Sequence, residues 1–323
     1  MKNNFILRSA FAALFFMQGC QKNIDAFIPD AASAAGTEWQ NTITPASPVA
    51  ALRNDLSFPK VADSFLYNSA GNFSLSGDLG LSVPPGALST NGGTLPAGII
   101  KRQSLLVRKK GDFIAMSIPT VSNGRLLISG GAYFIDLKNN NDELLVPQGK
   151  KIFLQYTNIA PAQNMRVFNG TGDITMGFTW TVNTDTAFNK VAISQPGYEV
   201  QTNKLQWLQT ARFLDTAGIA RTTLSLKLPV NYTNTNTVVY ISFNDFLCVA
   251  GVPGNAVLRK FIFGDLPVNR SVTVVVISKQ AGDYYLGKIV TNTSGSTGTT
   301  ATEIVITPVK TSLANIRSYL QSL

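Results

Sequence analysis

The feature that most constrains this fold is a two-residue alternation of apolar and polar side chains within short segments. Segment 223–228, TLSLKL, places Leu224, Leu226 and Leu228 on one face, and segment 238–243, VVYISF, alternates in the same way. Because successive side chains of a strand point to opposite faces of a sheet, the alternation predicts strands that are buried on one face only.

The rest of the chain repeats short apolar segments between Gly, Pro and Asn turns. Segment 271–278, SVTVVVIS, is apolar on both faces, which predicts a central strand, and 279–290 predicts a turn with a returning strand. Further strands are expected near 73–76, 79–83, 101–109, 126–137, 143–156 and 302–309. We therefore predict an all-β fold of two tandem antiparallel β-sandwich-like domains with a short C-terminal helix.

The helix is expected at the end of the chain, where Leu313, Ile316, Leu320 and Leu323 share one helical face. It would pack on the second domain or, as the alternative, bind a partner. The expected organisation is given by five ranges: a lipoprotein signal peptide at 1–19, a flexible tether at 20–50, a β-sandwich at 51–160, a connecting segment at 161–199, and a second β-sandwich-like domain with the helix at 200–323.

The amino terminus has the layout of an export signal. Lys2 and Arg8 precede an apolar run at 9–17, which is about the length of a signal-peptide core and too short to span a membrane. Gly19 and Cys20 then resemble a lipobox, in which Cys20 would carry the lipid. The expected location is the cell outer membrane, anchored through this lipid, on either the periplasmic side or the cell surface. The alternative is an ordinary signal peptide with a chance cysteine.

The chain contains no histidine, which excludes Ser-His-Asp and Cys-His catalysis as well as histidine-ligated zinc. Carboxylate chemistry, Ser-Lys chemistry and oxygen-ligated calcium remain open. The second cysteine, Cys248, lies in the apolar run FLCVAGV and is expected to be a small buried hydrophobe. The net charge of +9 favours acidic glycans or anionic lipids, and no nucleic-acid recognition pattern is present.

Segment 80–93, GLSVPPGALSTNGG, resembles the ZU-five β-sandwich module of ankyrins and netrin receptors. Segment 105–137 is similar to a version of that module in exported lipoproteins of the Bacteroidota, and 203–213, 228–245 and 272–287 are similar to the carboxy-terminal part of the same lipoproteins. The resemblance implies a ZU-five-like sandwich at 51–160 that acts as an interaction platform. Some receptor relatives cleave themselves at a His-Phe-Ser motif, and this histidine-free chain does not share it.

Two polar segments are candidate sites. The oxygen-rich stretch 136–143 could hold calcium or could form a hairpin turn. A basic segment could bind lipid phosphates or anionic glycans, or could form a solvated strand edge. Its members are Lys101, Arg102, Arg108, Lys109 and Lys110.

Aromatic and threonine side chains add further candidates. Four aromatic side chains could form a platform on which sugar rings stack or, as the alternative, could serve cross-strand packing. They are Trp207, Tyr232, Tyr284 and Tyr285. The triplet Asp-Thr-Ala is similar to the acceptor pattern for O-glycosylation in Bacteroidota and occurs at Thr186 and Thr216.

Together these patterns predict a non-enzymatic binding or scaffolding module without a cofactor. Its expected partners are the membrane, through the lipid, and a glycan or an envelope protein. The alternatives are a structural subunit of an envelope assembly and a carboxylate- or metal-dependent hydrolase.

Overall fold

The structure is a computed structural model that describes residues 37–75, 77–158, 160–293 and 302–323. Residues Gly36–Leu323 form one compact unit. The unit consists mostly of β-strands, as predicted, with three short helices among the described residues. None of these helices is long and apolar enough to cross a membrane.

The part of the chain up to residue 213 contains two helices and fourteen strands. In order these are α1 (Pro48–Leu56), β1 (Val61–Tyr67), β2 (Gly71–Ser74), β3 (Gly80–Val83), β4 (Ser89–Thr90), β5 (Gly98–Val107), α2 (Lys110–Ala115), β6 (Val121–Ser122), β7 (Arg125–Asn139), β8 (Asp142–Leu145), β9 (Ile152–Thr157), β10 (Arg166–Asp173), β11 (Gly177–Val182), β12 (Lys190–Ser194), β13 (Gly197–Thr202) and β14 (Gln206–Phe213).

The remaining part contains nine strands among the described residues and the C-terminal helix. In order these are β15 (Arg221–Lys227), β16 (Thr237–Phe243), β17 (Val249–Gly251), β18 (Gly254–Asn255), β19 (Lys260–Pro267), β20 (Ser271–Gln280), β21 (Asp283–Asn292), β22 (Thr302–Val305), β23 (Val309–Thr311) and α3 (Leu313–Gln321).

Strands β1–β14 form the first sandwich. Sheet A follows the order β1-β5-β7-β14-β10-β11, with β4, β6 and β8 beside this path, and sheet B follows the order β12-β13-β9-β3-β2. Tyr133, Leu154 and Leu208 lie in the apolar core between these sheets. Segment 161–199, expected as a connection, contributes β10, β11 and β12, so by strand pairing the first sandwich extends to Phe213.

Strands β15–β23 form the second sandwich. Sheet C follows the order β18-β19-β15-β22 and sheet D the order β17-β16-β20-β21-β23. Leu226, Ile241 and Val274 lie in the core between them. Strand β20 pairs on both sides, which agrees with the central strand predicted from its two apolar faces.

A third apolar core joins the two sandwiches. It contains Phe134 and Trp207 from sheet A, Tyr240 and Val275 from sheet D, and side chains from all three helices. Sheet D is therefore covered on both faces. For this reason every residue of β16 is buried, and the expectation of one solvent-facing side for 238–243 is wrong.

The helices are partly as predicted. In α3, Ile316 and Leu320 are buried and the Ser312 hydroxyl accepts a hydrogen bond from the Asn315 N–H at 3.1 Å, which confirms the C-terminal helix. Sequence reasoning missed α1 and α2. Helix α1 begins inside the segment expected to be a tether, and its Val49 is buried.

The segment 302–309 also differs from its prediction as one strand. Its first part, β22, pairs in parallel with β15 of sheet C, whereas β23 pairs with β21 of sheet D. Pro308 lies between the two strands and cannot donate a ladder hydrogen bond. The chain therefore crosses from one sheet to the other at this point.

In the segment that carries the ZU-five resemblance, β3 is followed by a tight turn. Strand β3 ends at Val83, the Ala87 N–H donates to the Pro84 carbonyl oxygen at 3.1 Å, and Leu88 is fully buried. Gly86 has a φ of 65°, a left-handed conformation that glycine adopts without a steric penalty.

Candidate functional site

The structure does not gather the five basic residues of 101–110 into one unpaired patch. Arg102 and Arg108 each form an ion pair of 2.8 Å, the first with Asp63 and the second with Asp78. Lys101 is exposed on β5, opposite Lys138 of β7. Part of the basic segment therefore forms contacts with neighbouring strands and loops, and its role in ligand binding stays a prediction.

The other two basic residues lie at helix α2. The Lys110 ammonium donates to the Asn244 carbonyl oxygen at 3.0 Å, and burial lowers its pKa. Lys109 is the N-cap residue, and its backbone N–H donates to the Asp112 carboxylate at 3.0 Å. Lys110 thus links the first sandwich to a loop of the second.

The oxygen-rich stretch 136–143 forms a tight hairpin between β7 and β8. Asn139 pairs with Asp142 and Lys138 with Glu143, and Asn140 in the turn has a φ of 57°. The Lys138 ammonium lies 3.6 Å from the Glu143 carboxylate and 3.9 Å from the Asp136 carboxylate. A lysine between the two acids occupies the position that a cation would take, so the geometry favours the turn.

The aromatic candidates are held mainly by packing. Trp207 is buried with its ring centroid 5.3 Å from that of Phe134. Tyr232 is buried, and its ring meets that of Tyr285 edge-on at 5.8 Å. Tyr284 donates to the Asp55 carboxylate at 2.9 Å. These side chains do not form a common exposed platform in the described structure.

The two threonines proposed for O-glycosylation differ in their surroundings. Thr186 is exposed in a turn, whereas Thr216 is half-buried and its hydroxyl accepts a hydrogen bond from Arg221. Modification at either position stays a prediction.

The cysteines also differ. Cys248 is fully buried in the core of the second sandwich, and burial raises its pKa to about 12. Cys20, the predicted lipidation site, lies outside the described residues.

A groove between the two sandwiches was not predicted from the sequence. It has a volume of about 480 Å³ and is lined by the loop before β6 and hairpin β10–β11 of the first sandwich, by β16, β17 and β19 of the second, and by α1. Its walls are mainly apolar and include Ile43, Pro119, Val121, Ile174, Phe178, Val239, Val252, Phe261 and Phe263.

Arg53 supplies the one cation among the groove's lining residues. It projects from α1, and its Nη1 donates to the Thr175 carbonyl oxygen at 2.6 Å in the β10–β11 turn. Its Nε has no hydrogen-bond partner among the described residues. The guanidinium is thus held by this contact and also interacts electrostatically with the Asp173 carboxylate at the end of β10.

The remaining polar lining is mostly engaged. The Tyr240 hydroxyl donates to the Ser117 hydroxyl at 3.2 Å, and burial raises the Tyr240 pKa, which keeps this phenol neutral. Asn234 pairs with the backbone of Gln40, accepting from its N–H at 3.0 Å and donating to its carbonyl oxygen at 2.5 Å. Asn41 is exposed at the rim.

The side chains that line the groove are of the types found in ligand-binding sites. Arg53 and Tyr240 are its only titratable groups, so the described lining supplies no carboxylate and no thiol. Apolar and aromatic walls with a few placed polar groups are typical of ligand sites between domains. The groove therefore fits a ligand with apolar faces and an anionic group.

No local sequence signal marks this groove, because its residues come from four stretches between positions 41 and 263. Only the start of α1 had a readable signal, Ser47-Pro48, since proline is favoured at the first helical position. In three comparisons, no family model, no curated protein and no solved structure matches this chain.

Proposed function

We propose that this protein is a lipid-anchored, non-enzymatic binding module of the bacterial cell envelope, with the groove between its sandwiches as the ligand site. The groove's lining carries the proposal, because it combines apolar walls with Arg53 and lacks the residue pairs of acid–base or nucleophilic catalysis.

The envelope location rests on the amino terminus. The export-signal layout at 1–19 and the lipobox-like Gly19-Cys20 support processing and lipidation at Cys20. The resemblance to Bacteroidota lipoproteins with a ZU-five-like module supports the same location and an interaction role.

An acidic glycan is the ligand class that we propose for the groove. Sugar rings present apolar faces that pack on aromatic side chains, and Phe178, Phe261 and Phe263 lie in the groove walls. A sugar carboxylate would form a charge-assisted hydrogen bond with the Arg53 guanidinium.

The test is binding of acidic and neutral oligosaccharides to the full chain in mild detergent. Thr179 is exposed on β11 and lines the groove, so Thr179→Trp should fill the groove without removing a buried contact. Thr181 is exposed two positions further along the same strand and does not line the groove, which makes Thr181→Trp the matched control.

We expect the wild type and Thr181→Trp to bind acidic oligosaccharides in preference to neutral ones, and Thr179→Trp to lose this binding. Equal binding of acidic oligosaccharides by both tryptophan variants would show that the groove is not the ligand site. Binding of neutral sugars alone would contradict the role given to Arg53.

A further inference from the structure

One edge of sheet D is only partly covered by a neighbouring strand. Strand β21 pairs with β20 over its whole length, from Asp283 to Asn292. On its other side β23 pairs only with Tyr284, Tyr285 and Leu286. Among the described residues, no strand pairs with this side of β21 at 287–292.

The hairpin fixes which backbone groups face this edge. Strands β20 and β21 are joined by Ala281 and Gly282, with φ values of 48° and 88°, as in a two-residue type I′ turn. The flanking pair Gln280–Asp283 is then hydrogen-bonded, and such pairs recur at every second residue. It follows that Lys288, Val290 and Asn292 direct their N–H and C=O groups away from β20.

Beside this edge, the second sandwich is open. A cleft of about 480 Å³ lies between residues 286–289 and 305–311. Ile289 stands opposite the core residue Val274 yet is 37% exposed, and Val305 and Val309 are 66% and 69% exposed. Among the described residues, apolar side chains of the sandwich therefore remain partly exposed where the two sheets end.

The edge carries little of the protection that usually prevents strand addition. Edge strands are commonly blocked by proline, bulges or several charges. Segment 287–292, GKIVTN, contains no proline and one charge, Lys288. Its pairing with β20 is continuous, without a bulge.

The charge around the edge favours an acidic occupant. Lys288 is exposed on the face of β21 that is turned away from the core of the second sandwich, with its ammonium 4.3 Å from the Tyr319 ring centroid. Lys227 is exposed opposite Val305 and lies near the Glu303 carboxylate. Lys310 also lines the cleft and is paired with Asp283 at 2.6 Å. Cross-strand neighbours share a face, so an added strand would place acids beside Lys288 and apolar side chains beside Ile289.

We propose that 287–292 of β21 is a docking edge for an extended segment of a partner protein in which apolar and acidic residues alternate. The segment adds to sheet D by backbone hydrogen bonds, its apolar side chains enter the cleft, and its acids face Lys288. This surface is distinct from the groove between the sandwiches, and its use does not depend on the glycan ligand.

The experiment measures binding of a labelled heptapeptide, acetyl-Val-Glu-Val-Glu-Val-Glu-Val-amide, to the full chain in mild detergent. The control peptide has lysine in place of glutamate. Val290→Pro removes an N–H that faces the open edge and leaves the hydrogen bonds to β20 intact. Val290→Thr keeps both the N–H and the β-branched shape, and serves as the matched variant.

We expect the acidic peptide to bind the wild type and Val290→Thr alike and to bind Val290→Pro about two- to tenfold more weakly, as the loss of a backbone hydrogen bond predicts. Hydrogen exchange at 288–292 should slow when the acidic peptide is bound. Lys288→Glu, which leaves the backbone unchanged, should reverse the preference between the two peptides and so provides a test that does not depend on proline.

Three results would overturn the proposal. The first is that the wild type does not bind the acidic peptide at peptide concentrations up to about 1 mM. The second is equal affinity of Val290→Pro and Val290→Thr together with an unchanged preference in Lys288→Glu. The third is self-association of the wild type that Val290→Pro abolishes, since a second copy would then occupy the edge.

Discussion

Arg53 and Thr175 are joined by a hydrogen bond of 2.6 Å from the guanidinium Nη1 to the backbone carbonyl oxygen. Arg53 belongs to α1, which packs on the second sandwich, where the Val49 N–H donates to the Thr235 carbonyl oxygen at 2.8 Å. Thr175 lies in the β10–β11 turn of the first sandwich. This contact links α1 to the first sandwich at one wall of the groove.

Arg53→Met should lower the free energy of unfolding by about 2 kcal/mol, because a charged donor is lost and the Thr175 carbonyl oxygen is left without it. Urea unfolding measures the change. Arg166 is exposed on β10, and Arg166→Met is the control, with an expected change below about 0.5 kcal/mol. Equal stability of the two variants would show that the contact does not hold the sandwiches together.

The close packing of α2 against α3 should require glycine at position 111. A Cβ atom added there would overlap the carbonyl oxygen of Leu320, which belongs to α3. We expect Gly111→Ala to destabilise the protein by about 3 kcal/mol, since backbone must move to relieve the overlap.

Gly177 is the control for this substitution, because an added Cβ would meet no atom within 4 Å and its φ is not positive. Gly177→Ala should leave the midpoint of thermal unfolding nearly unchanged. Equal midpoints of thermal unfolding for Gly111→Ala and Gly177→Ala would mean that α2 and α3 do not approach as closely as the structure shows.

The stability of the protein should be flat across neutral pH and should fall in alkali. No histidine is present, so no side chain with an ordinary pKa changes charge between about pH 5 and 8. Burial raises the pKa of Tyr156 above 10.0 and that of Cys248 from 9.0 to about 12. The folded state then keeps protons that the unfolded state releases, and stability is lost as pH rises above about 9.

The titration of Lys279 should also lower the stability of the protein at high pH. The hydrogen bond to the Asp55 carboxylate raises its pKa above 10.5. Its stabilising contribution is complete below that ordinary value and is lost as pH rises through the raised one. Urea midpoints recorded from pH 5.5 to 11 would test this profile, and a marked slope between about pH 6 and 8 would contradict it.

Cys20→Ser should release the protein from membranes. The lipobox-like position of Cys20 predicts that the wild type incorporates labelled palmitate and partitions into detergent, whereas the variant does neither. Cys248→Ser is the matched control and should remain lipidated, because Cys248 is fully buried. Loss of the label in the control alone, or its retention in Cys20→Ser, would rule out Cys20 as the lipidation site.

The all-β class was predictable because the strands carry their periodicity locally. Segment 271–278 has two apolar faces and is the central strand β20, and the turn after it closes the predicted hairpin. In contrast, the one-sided alternation at 238–243 was misleading, because Tyr240 is buried by a contact with the first sandwich that no local pattern reveals. Local sequence shows which residues can be buried, but not how many neighbours an element has.

The groove could not be predicted for the same reason. Arg53 and Phe178 lie more than a hundred positions apart in the sequence, and both line the groove only after α1 has packed on the second sandwich. The basic run at 101–110 was visible in the sequence, yet Arg102 and Arg108 lie within reach of aspartates that distant loops and strands supply. The sequence therefore shows where the charged residues are, but not which of them have an ion-pair partner in the folded protein.

The central claim is that the protein binds its ligand in the groove without transforming it. The most direct measurement titrates the full chain with the acidic oligosaccharide that it binds most tightly, and then recovers the sugar for mass determination. We predict saturable binding with one oligosaccharide per chain, and a recovered sugar of unchanged mass after prolonged incubation. A cleaved or modified sugar would contradict the account, and so would saturable binding that Thr179→Trp leaves intact.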